Sequence, residues 1–508
     1  MDVMDTMEHN ETNSPQSAKS MRKTIVIVGG GVTGLSAAYY LEKFTDEQGL
    51  PLRIVLAEAT NRLGGKISTE TFDGFVIEKG PDSFLARKVA ALDLIRDIGI
   101  EGELVGTNPS ARKTYILHQG TLHRIPAGLN LGVPTQFNPF VKSGLLSLRG
   151  KLRAGLDFIL PRSADRGDRS LGDFLERRLG KEVVDFMAEP ILAGIYAGDL
   201  RKLSLRATFP QFEQYERDHG SLVLGMLAQG RISKTPQAGA AISGDSTTSK
   251  EDVHSIPQSA FLSLRGGLKR IIEQLRASLR ATSVHLSAPV RSIADRTPDG
   301  HYVVHIDAME PVLADVVGVA VENYSAAALL PERFAGRAIL ENVPYVSVAT
   351  VILAYQSADL GRVLDGSGFV VPRKEGRTIT ACTWVSSKWL HTAPPGRILI
   401  RCYVGRSGQE EIVEQSDEEI IHRVRSDVAD IMGVTAPPRF SRVTRWRRAM
   451  PQYTVGHLDR VATFHDEAEK AYPGLLFAGA GFTGLGIPDC IAQGKQLAAR
   501  MMERLNPS

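Results

Sequence analysis

Thr24-Ile25-Val26-Ile27-Val28 is β-branched throughout, with no polar alternation after Thr24. Such a run predicts a strand buried on both faces, as in a parallel sheet. Leu35-Ser36-Ala37-Ala38-Tyr39-Tyr40-Leu41 then opens a helix with small residues on one side, and past Pro51 the run Arg53-Ile54-Val55-Leu56 predicts a second strand. The chain therefore starts with a βαβ unit. Residues 91–235 read as mostly helical, with helical spacing in Arg169 to Leu175 and Val183 to Met187. Leu268 to Leu279 has the pattern of an amphipathic helix, and His301-Tyr302-Val303-Val304-His305-Ile306 alternates as a hairpin strand does. Residues 345–403 are strand-rich, and from Leu475 the pattern is strand, glycine loop and a helix running to the end. No internal repeat is present.

Two tracts fall outside this pattern. Residues 1–20 are polar with no apolar stretch, which predicts a disordered leader and argues against a secretory signal. Residues 236–256, rich in Ala, Gly, Ser and Thr, predict a flexible surface insertion. No run of ~18 apolar residues exists to span a membrane. Net charge is +3, from 60 Lys+Arg against 57 Asp+Glu, so charge gives no reason to expect a nucleic-acid partner. The three cysteines, Cys382, Cys402 and Cys490, make no C-x-x-C pair. We expect reduced thiols in a cytoplasmic protein, and no metal site.

The chemistry concentrates in glycine-rich strings. Gly29-Gly30-Gly31-Val32-Thr33-Gly34 lies between the first strand and the first helix. A G-x-G-x-x-G in that place makes a tight turn, lets backbone approach a pyrophosphate and packs helix on strand, while the helix N-terminus offers free N–H groups to the phosphates. A ligand-free glycine turn would need no acid at the end of the next strand. Glu58 stands there, about 24 positions past Gly34, where a carboxylate can accept ribose hydroxyls. Arg62-Leu63-Gly64-Gly65-Lys66 adds a second glycine approach that a simple NAD domain does not need. This E-x-x-x-R-x-G-G pattern resembles the FAD-dependent amine oxidase and desaturase superfamily.

Gly479-Ala480-Gly481-Phe482-Thr483-Gly484 repeats the glycine pattern. A second dinucleotide site for NAD(P)H is one reading. Only 24 residues follow Gly484, too few for the next strand and its ribose acid. The better reading is a loop and helix returning to the same FAD, with the helix dipole aimed at it.

Longer strings narrow the resemblance. They are Gly80-Pro81-Asp82-Ser83-Phe84-Leu85, Glu189-Pro190-Ile191-Leu192-Ala193-Gly194-Ile195-Tyr196-Ala197-Gly198-Asp199, Thr444-Arg445-Trp446, Met450-Pro451-Gln452-Tyr453-x-x-Gly456-His457 and Gly486-Ile487-Pro488-Asp489-Cys490-Ile491. Together, over residues 22–505, the chain resembles the oxygen-dependent porphyrinogen oxidases of haem biosynthesis, most closely the Gram-positive branch acting on coproporphyrinogen III. The resemblance implies an α/β fold. Its parts are a discontinuous Rossmann-type FAD-binding domain (21–90, 257–326 and 441–505), a mixed-sheet substrate domain (91–115 and 327–440) and a helical, membrane-associated-like subdomain (116–235). It implies cofactor contacts at Gly29 to Gly34, Glu58, Ala59, Arg62, Gly65, Gly80, Pro81, Asp82, Val290, Trp446, Leu485, Gly486 and Ile487. On the residues alone, Trp446 reads as a core or rim aromatic. One departure stands out: the family usually has a small residue and then proline where this chain has Ala320-Val321-Glu322. A differently shaped turn is expected there.

The reaction implied is removal of six electrons and six hydrogens from a porphyrinogen in three two-electron steps through the flavin, with O2 as acceptor and H2O2 as product. No catalytic acid or base is required, and His457 reads as structural. Coproporphyrinogen carries four propionates and protoporphyrinogen two, so extra cations favour the former. Arg87 and Lys88 follow the Gly80–Leu85 string, and the family places a propionate-binding base at Lys88; a solvated surface pair is the alternative. Ile195 and Tyr403 are further pocket candidates. Residues 125–161 mix Leu145, Leu146, Leu148, Leu152, Phe158, Ile159 and Leu160 with Arg149, Lys151 and Arg153, which suits either an amphipathic membrane face or a packed subdomain. Other readings are a protoporphyrinogen IX oxidase, another amine oxidase or carotenoid desaturase, and an FAD-holding protein without turnover. Sequence leaves open the oligomeric state and whether a haem-pathway enzyme receives the product.

Overall fold

The structure, a computed structural model, describes residues 22–165, 167–232, 256–361 and 363–505. The expected leader, and the expected insertion apart from Ile256, lie outside the described residues.

Five parallel strands form the first sheet, in the order Thr282–His285, Leu52–Ala57, Lys23–Val28, Val316–Val319, Leu475–Phe477. Side chains alternate between two buried faces. Ile25, Ile27, Ile54 and Leu56 pack on the helices Val32–Gln48 and Ile487–Leu505, among others. Val26, Val28, Val55, Val317 and Val319 pack on the other face, against the antiparallel strands Val290–Ala294, Tyr302–Ile306 and Val312–Ala314. A strand covered on both sides has no use for polar alternation, which is why its sequence reads as an unbroken apolar run. The sheet is assembled from distant parts of the chain, as a discontinuous Rossmann-type domain requires.

The second sheet has seven strands, in the order Phe440–Pro451, Tyr345–Gln356, Arg397–Val404, Ile379–Thr383, Gly366–Val370, Lys113–His118, Thr121–Arg124. It is mixed, because Gly366–Val370 runs parallel to Lys113–His118 while its other pairings are antiparallel. Residues 441–451, assigned from sequence to the cofactor domain, form its edge strand.

One expectation needs correcting. Residues 91–235 are not mostly helical from the start: strands occupy Leu104–Gly106, Lys113–His118, Thr121–Arg124, Leu129–Asn130 and Val133–Pro134. Lys113-Thr-Tyr-Ile-Leu-His carries β-formers, and Gln119-Gly120 turns the chain with φ of 50° and 74°. Two successive positive φ values are what a two-residue hairpin turn needs. From Phe137 onward the segment is helical, around a core of Phe174, Leu175, Val184, Met187, Leu192 and Phe212. Val184–Ala188 forms a π-turn just before Pro190. Proline lacks an N–H and crowds the preceding carbonyls, and the wider turn accommodates both effects.

Candidate active site

The glycine loop sits at the C-terminal end of the central strand. Gly29 has φ 103°, and a Cβ there would lie 2.6 Å from Ala320 O. A Cβ at Gly34 would overlap Gly29 O, so the helix starts hard against the turn. Gly31 has nothing within 4 Å of a built Cβ, which leaves that side of the loop open. Gly31 is also the N-cap of the helix Val32–Gln48, with no side-chain cap and no acid in the first turn. The helix N-terminus is thus uncompensated by protein and turned toward open space, a place for an anion.

Glu58 ties this loop to the next strand. Gly30 N donates to its Oε2 at 2.7 Å, and Thr60 N and Oγ1 donate to Oε1 at 2.8 and 2.7 Å. The carboxylate keeps lone pairs for further donors, since each oxygen has two. Ala59 follows it, and Ala288 N donates to Glu58 O at 2.9 Å, which brings Val290 to the same side.

The second glycine string crosses the first. Gly64 N donates to Gly30 O at 2.8 Å, and Gly31 bridges Gly64. Arg62, itself exposed, folds back along its own loop and donates to Gly65 O at 2.6 Å and to Ile67 O at 3.3 Å. It braces the loop that presents Gly65.

Gly80, Pro81 and Asp82 form the next wall. A Cβ on Gly80 would overlap Lys66 O, so only glycine permits the two segments to pass. Trp446, on the edge strand of the mixed sheet, donates from Nε1 to Lys79 O at 2.9 Å. Its indole is a half-buried anchor at the seam between the sheets. Asp82 points inward, where it pairs with Arg401 Nη2 at 3.0 Å and Lys388 Nζ at 3.2 Å. Burial pushes the Asp82 carboxyl up, but Lys388 and Arg401 outweigh it and hold it well below the usual carboxylate range. Arg401, 2% exposed, also donates to Glu78 O and Gly80 O at 3.1 and 3.0 Å. Sequence reasoning missed Arg401, which carries no motif.

The C-terminal loop is tied from behind. Gln493 Nε2 donates to Thr483 O and to Gly484 O, Tyr453 OH donates to Ala480 O, and His457 Nε2 bonds Phe482 O at 2.8 Å. Burial lowers the His457 pKa, and Nε2 is the donor because a carbonyl oxygen can only accept. The ring is buried and stacked on Tyr453 at 4.4 Å. These bonds hold the carbonyls of the loop that leads into the helix Ile487–Leu505, where Leu485 and Gly486 are partly exposed and Ile487 is buried.

The substrate candidates meet this wall unequally. Lys88 Nζ lies 2.7 and 2.6 Å from the two oxygens of Asp489, in the first turn of the C-terminal helix. Arg87 is exposed. Ile195 is exposed near the end of the helix Glu189–Tyr196, and Tyr196 packs edge-on against Tyr453 at 6.0 Å. Tyr403 lies under Arg401, whose guanidinium is 4.9 Å from its ring centre. Among the described residues no group of His, Cys, Asp and Glu converges to hold a metal ion, and no helix is long and apolar enough to cross a membrane.

Two helix N-termini, an open glycine loop and an acid at the ribose position define a dinucleotide-binding oxidoreductase. The chain matches the Flavin containing amine oxidoreductase family over residues 32–502, and it belongs to that family. A flavin in a dinucleotide loop is FAD, and the residues present fit it: the open side at Gly31 admits backbone approach, and the helix Val32–Gln48 starts there with no side-chain cap and no acid in its first turn. The chain is 44% identical to coproporphyrinogen III oxidase of Bacillus subtilis, over 93% of this chain and 97% of the relative. It is 36% identical to coproporphyrinogen III oxidase of Staphylococcus aureus, over 96% of this chain and all of the relative. A crystal structure of a protein described as a putative protoporphyrinogen oxidase from Exiguobacterium superposes with TM-score 0.82 at 36% identity, covering 95% of this chain and 99% of the other. A putrescine oxidase, at 16% identity and TM-score 0.63, shares the fold alone.

Proposed function

We propose that this chain is an FAD-dependent oxidase that converts coproporphyrinogen III to coproporphyrin III in three two-electron steps, reducing O2 to H2O2 each time. The observation that carries the substrate is the likeness to the Bacillus subtilis enzyme over nearly the whole of both chains. Bound FAD would supply the hydride acceptor and the route to O2. The chain's own residues bind, orient and exclude water. Gly29, Gly30, Gly31, Val32, Thr33 and Gly34 hold the pyrophosphate, Glu58 and Ala59 the ribose side, and Val290 the adenine side. Arg62 and Gly65 support the pyrophosphate from the second loop. Gly80, Pro81, Asp82, Trp446, Leu485, Gly486 and Ile487 would hold the flavin end of the cofactor. Asp82 serves as an anchor of its loop, held by Arg401.

The substrate borders Lys88, Arg87 and Ile195, with Tyr403 behind the wall. Lys88 alone does not separate four propionates from two, because Asp489 already neutralises it. Initial rates of fluorescent porphyrin formation from the two porphyrinogens test the reading. A clear preference for protoporphyrinogen IX overturns it.

We also place the protein in the cytoplasm with a peripheral membrane contact. Phe137, Leu148, Leu152 and Ile159 are 77%, 73%, 67% and 77% exposed, beside Arg149 and Lys151. Leu145 and Leu146 are buried, so the region packs on one side and offers an apolar ridge with bases on the other.

A further inference from the structure

Glu322 stands where the resembling family has proline, and the structure gives it a partner. Its Oε1 lies 2.7 Å from Lys66 Nζ, across 256 positions of sequence. The two residues approach from opposite flanks of the glycine loop. In the five-stranded sheet Lys23–Val28 lies between Leu52–Ala57 and Val316–Val319. Lys66 belongs to the loop after the first neighbour, and Glu322 to the loop after the second. Each loop touches the glycine string: Gly64 bridges Gly31, and Ala320 O meets the Cβ position of Gly29. The ion pair therefore joins the two segments that border the pyrophosphate approach.

Glu322 is also the N-cap residue of the helix Asn323–Leu329, yet its side chain makes no capping bond. Ser, Thr, Asn and Asp are the usual capping side chains, and here the carboxylate is turned to Lys66 instead. Burial pushes this carboxyl up, and the Lys66 charge and hydrogen bond pull it further down, so it stays ionised. Both side chains are about one-third exposed, which leaves the pair open to salt and to breaking.

We propose that the Lys66–Glu322 ion pair is a clasp across the cofactor groove, setting how fast FAD is taken up and released. Lys66 and Glu322 are positioning residues here, and the proposal depends on the cofactor but not on which porphyrinogen is oxidised. A partly exposed ion pair supports a rate effect of about five-fold at most.

The test measures flavin release from purified holoenzyme after rapid dilution, read by the fluorescence of free FAD. Glu322→Gln and Lys66→Met are each expected to release FAD about three- to five-fold faster than wild type. The double variant should release no faster than either single one, because both remove the same interaction. Salt at 0.5 M should accelerate release from wild type and leave Glu322→Gln nearly unchanged. Glu322→Asp, which keeps the charge on a shorter stem, should fall between. Unchanged release in Glu322→Gln overturns the clasp, as do additive effects in the double variant. Slower release in Glu322→Gln with faster release in Lys66→Met also overturns it, since Lys66 would then serve the cofactor directly and Glu322 would only compete.

Discussion

Lys88 and Asp489 face each other across the site, with Nζ within 2.7 Å of both carboxylate oxygens although 401 positions separate them in sequence. The lysine comes from the segment after Gly80–Leu85, and the aspartate from the first turn of the C-terminal helix. The pair joins the two walls that our functional reading places on either side of the substrate. Asp489 also crowds the glycine loop, since a Cβ at Gly484 would lie 2.7 Å from its Cβ.

Removing Asp489's charge should therefore free Lys88 for an anionic substrate. Asp489→Asn is expected to lower KM for coproporphyrinogen by about two- to five-fold with kcat little changed, the scale of a partly exposed ion pair. Lys88→Ala should raise KM by a similar factor while flavin stays bound. Steady-state kinetics with the flavin-to-protein absorbance ratio as control decide it. Equal KM values in all three proteins would remove both residues from substrate binding.

The glycine loop gives a steric prediction. Gly34→Ala places a methyl against Gly29 O, where backbone rather than a flexible side chain must yield. The cost should be on the order of 1–3 kcal/mol, and the displaced loop should lose its match to the pyrophosphate. We expect purified Gly34→Ala to carry little flavin and to melt several degrees lower. Full flavin content with an unchanged Tm would show that the loop tolerates the methyl.

Much of this was legible in sequence, for a physical reason. The turn at Gly29 to Gly34 is a local backbone requirement, so its residues and spacing carry it. Glu58 is legible because strand length fixes its distance from the loop. Arg401 is not: it is one more residue in a strand, and its role exists only because folding sets it against Asp82 and Gly80. The Glu322 departure was visible, but its consequence lay 256 positions away at Lys66. The hairpin of Lys113–His118 and Thr121–Arg124 is hard to see within 91–235, because the neighbouring patterns are helical and a short hairpin with an uncommon Gln-Gly turn carries little signal of its own.

A buried acid predicts a pH effect on stability. Glu78 accepts hydrogen bonds from Leu268 N at 2.6 Å and Thr69 Oγ1 at 2.8 Å, but burial dominates and pushes its pKa up to about 7. A carboxyl raised above its unfolded value of 4.5 stabilises the fold fully below that pH and loses the contribution as pH rises through about 7. Glu78→Gln keeps both partners and cannot ionise. Its Tm advantage over wild type should be larger at pH 8 than at pH 5, by an amount equivalent to about 2–3 kcal/mol. A difference independent of pH would mean that Glu78 titrates near its ordinary value.

The ridge of Leu148, Leu152 and Ile159 predicts lipid binding. These side chains stand out from a subdomain whose own core is already filled by Phe174, Leu175 and Val184, so packing does not account for them. With Arg149 and Lys151 beside them, they suit the interface of an anionic bilayer, where apolar burial and charge attraction add. Cosedimentation with vesicles containing about one-third anionic lipid should retain wild type and lose the Leu148→Asp, Leu152→Asp double variant. Both proteins should keep flavin and oxidise a soluble porphyrinogen at the same rate, because the ridge lies outside the cofactor walls. Equal recovery of both proteins in the supernatant would leave the ridge without a membrane role.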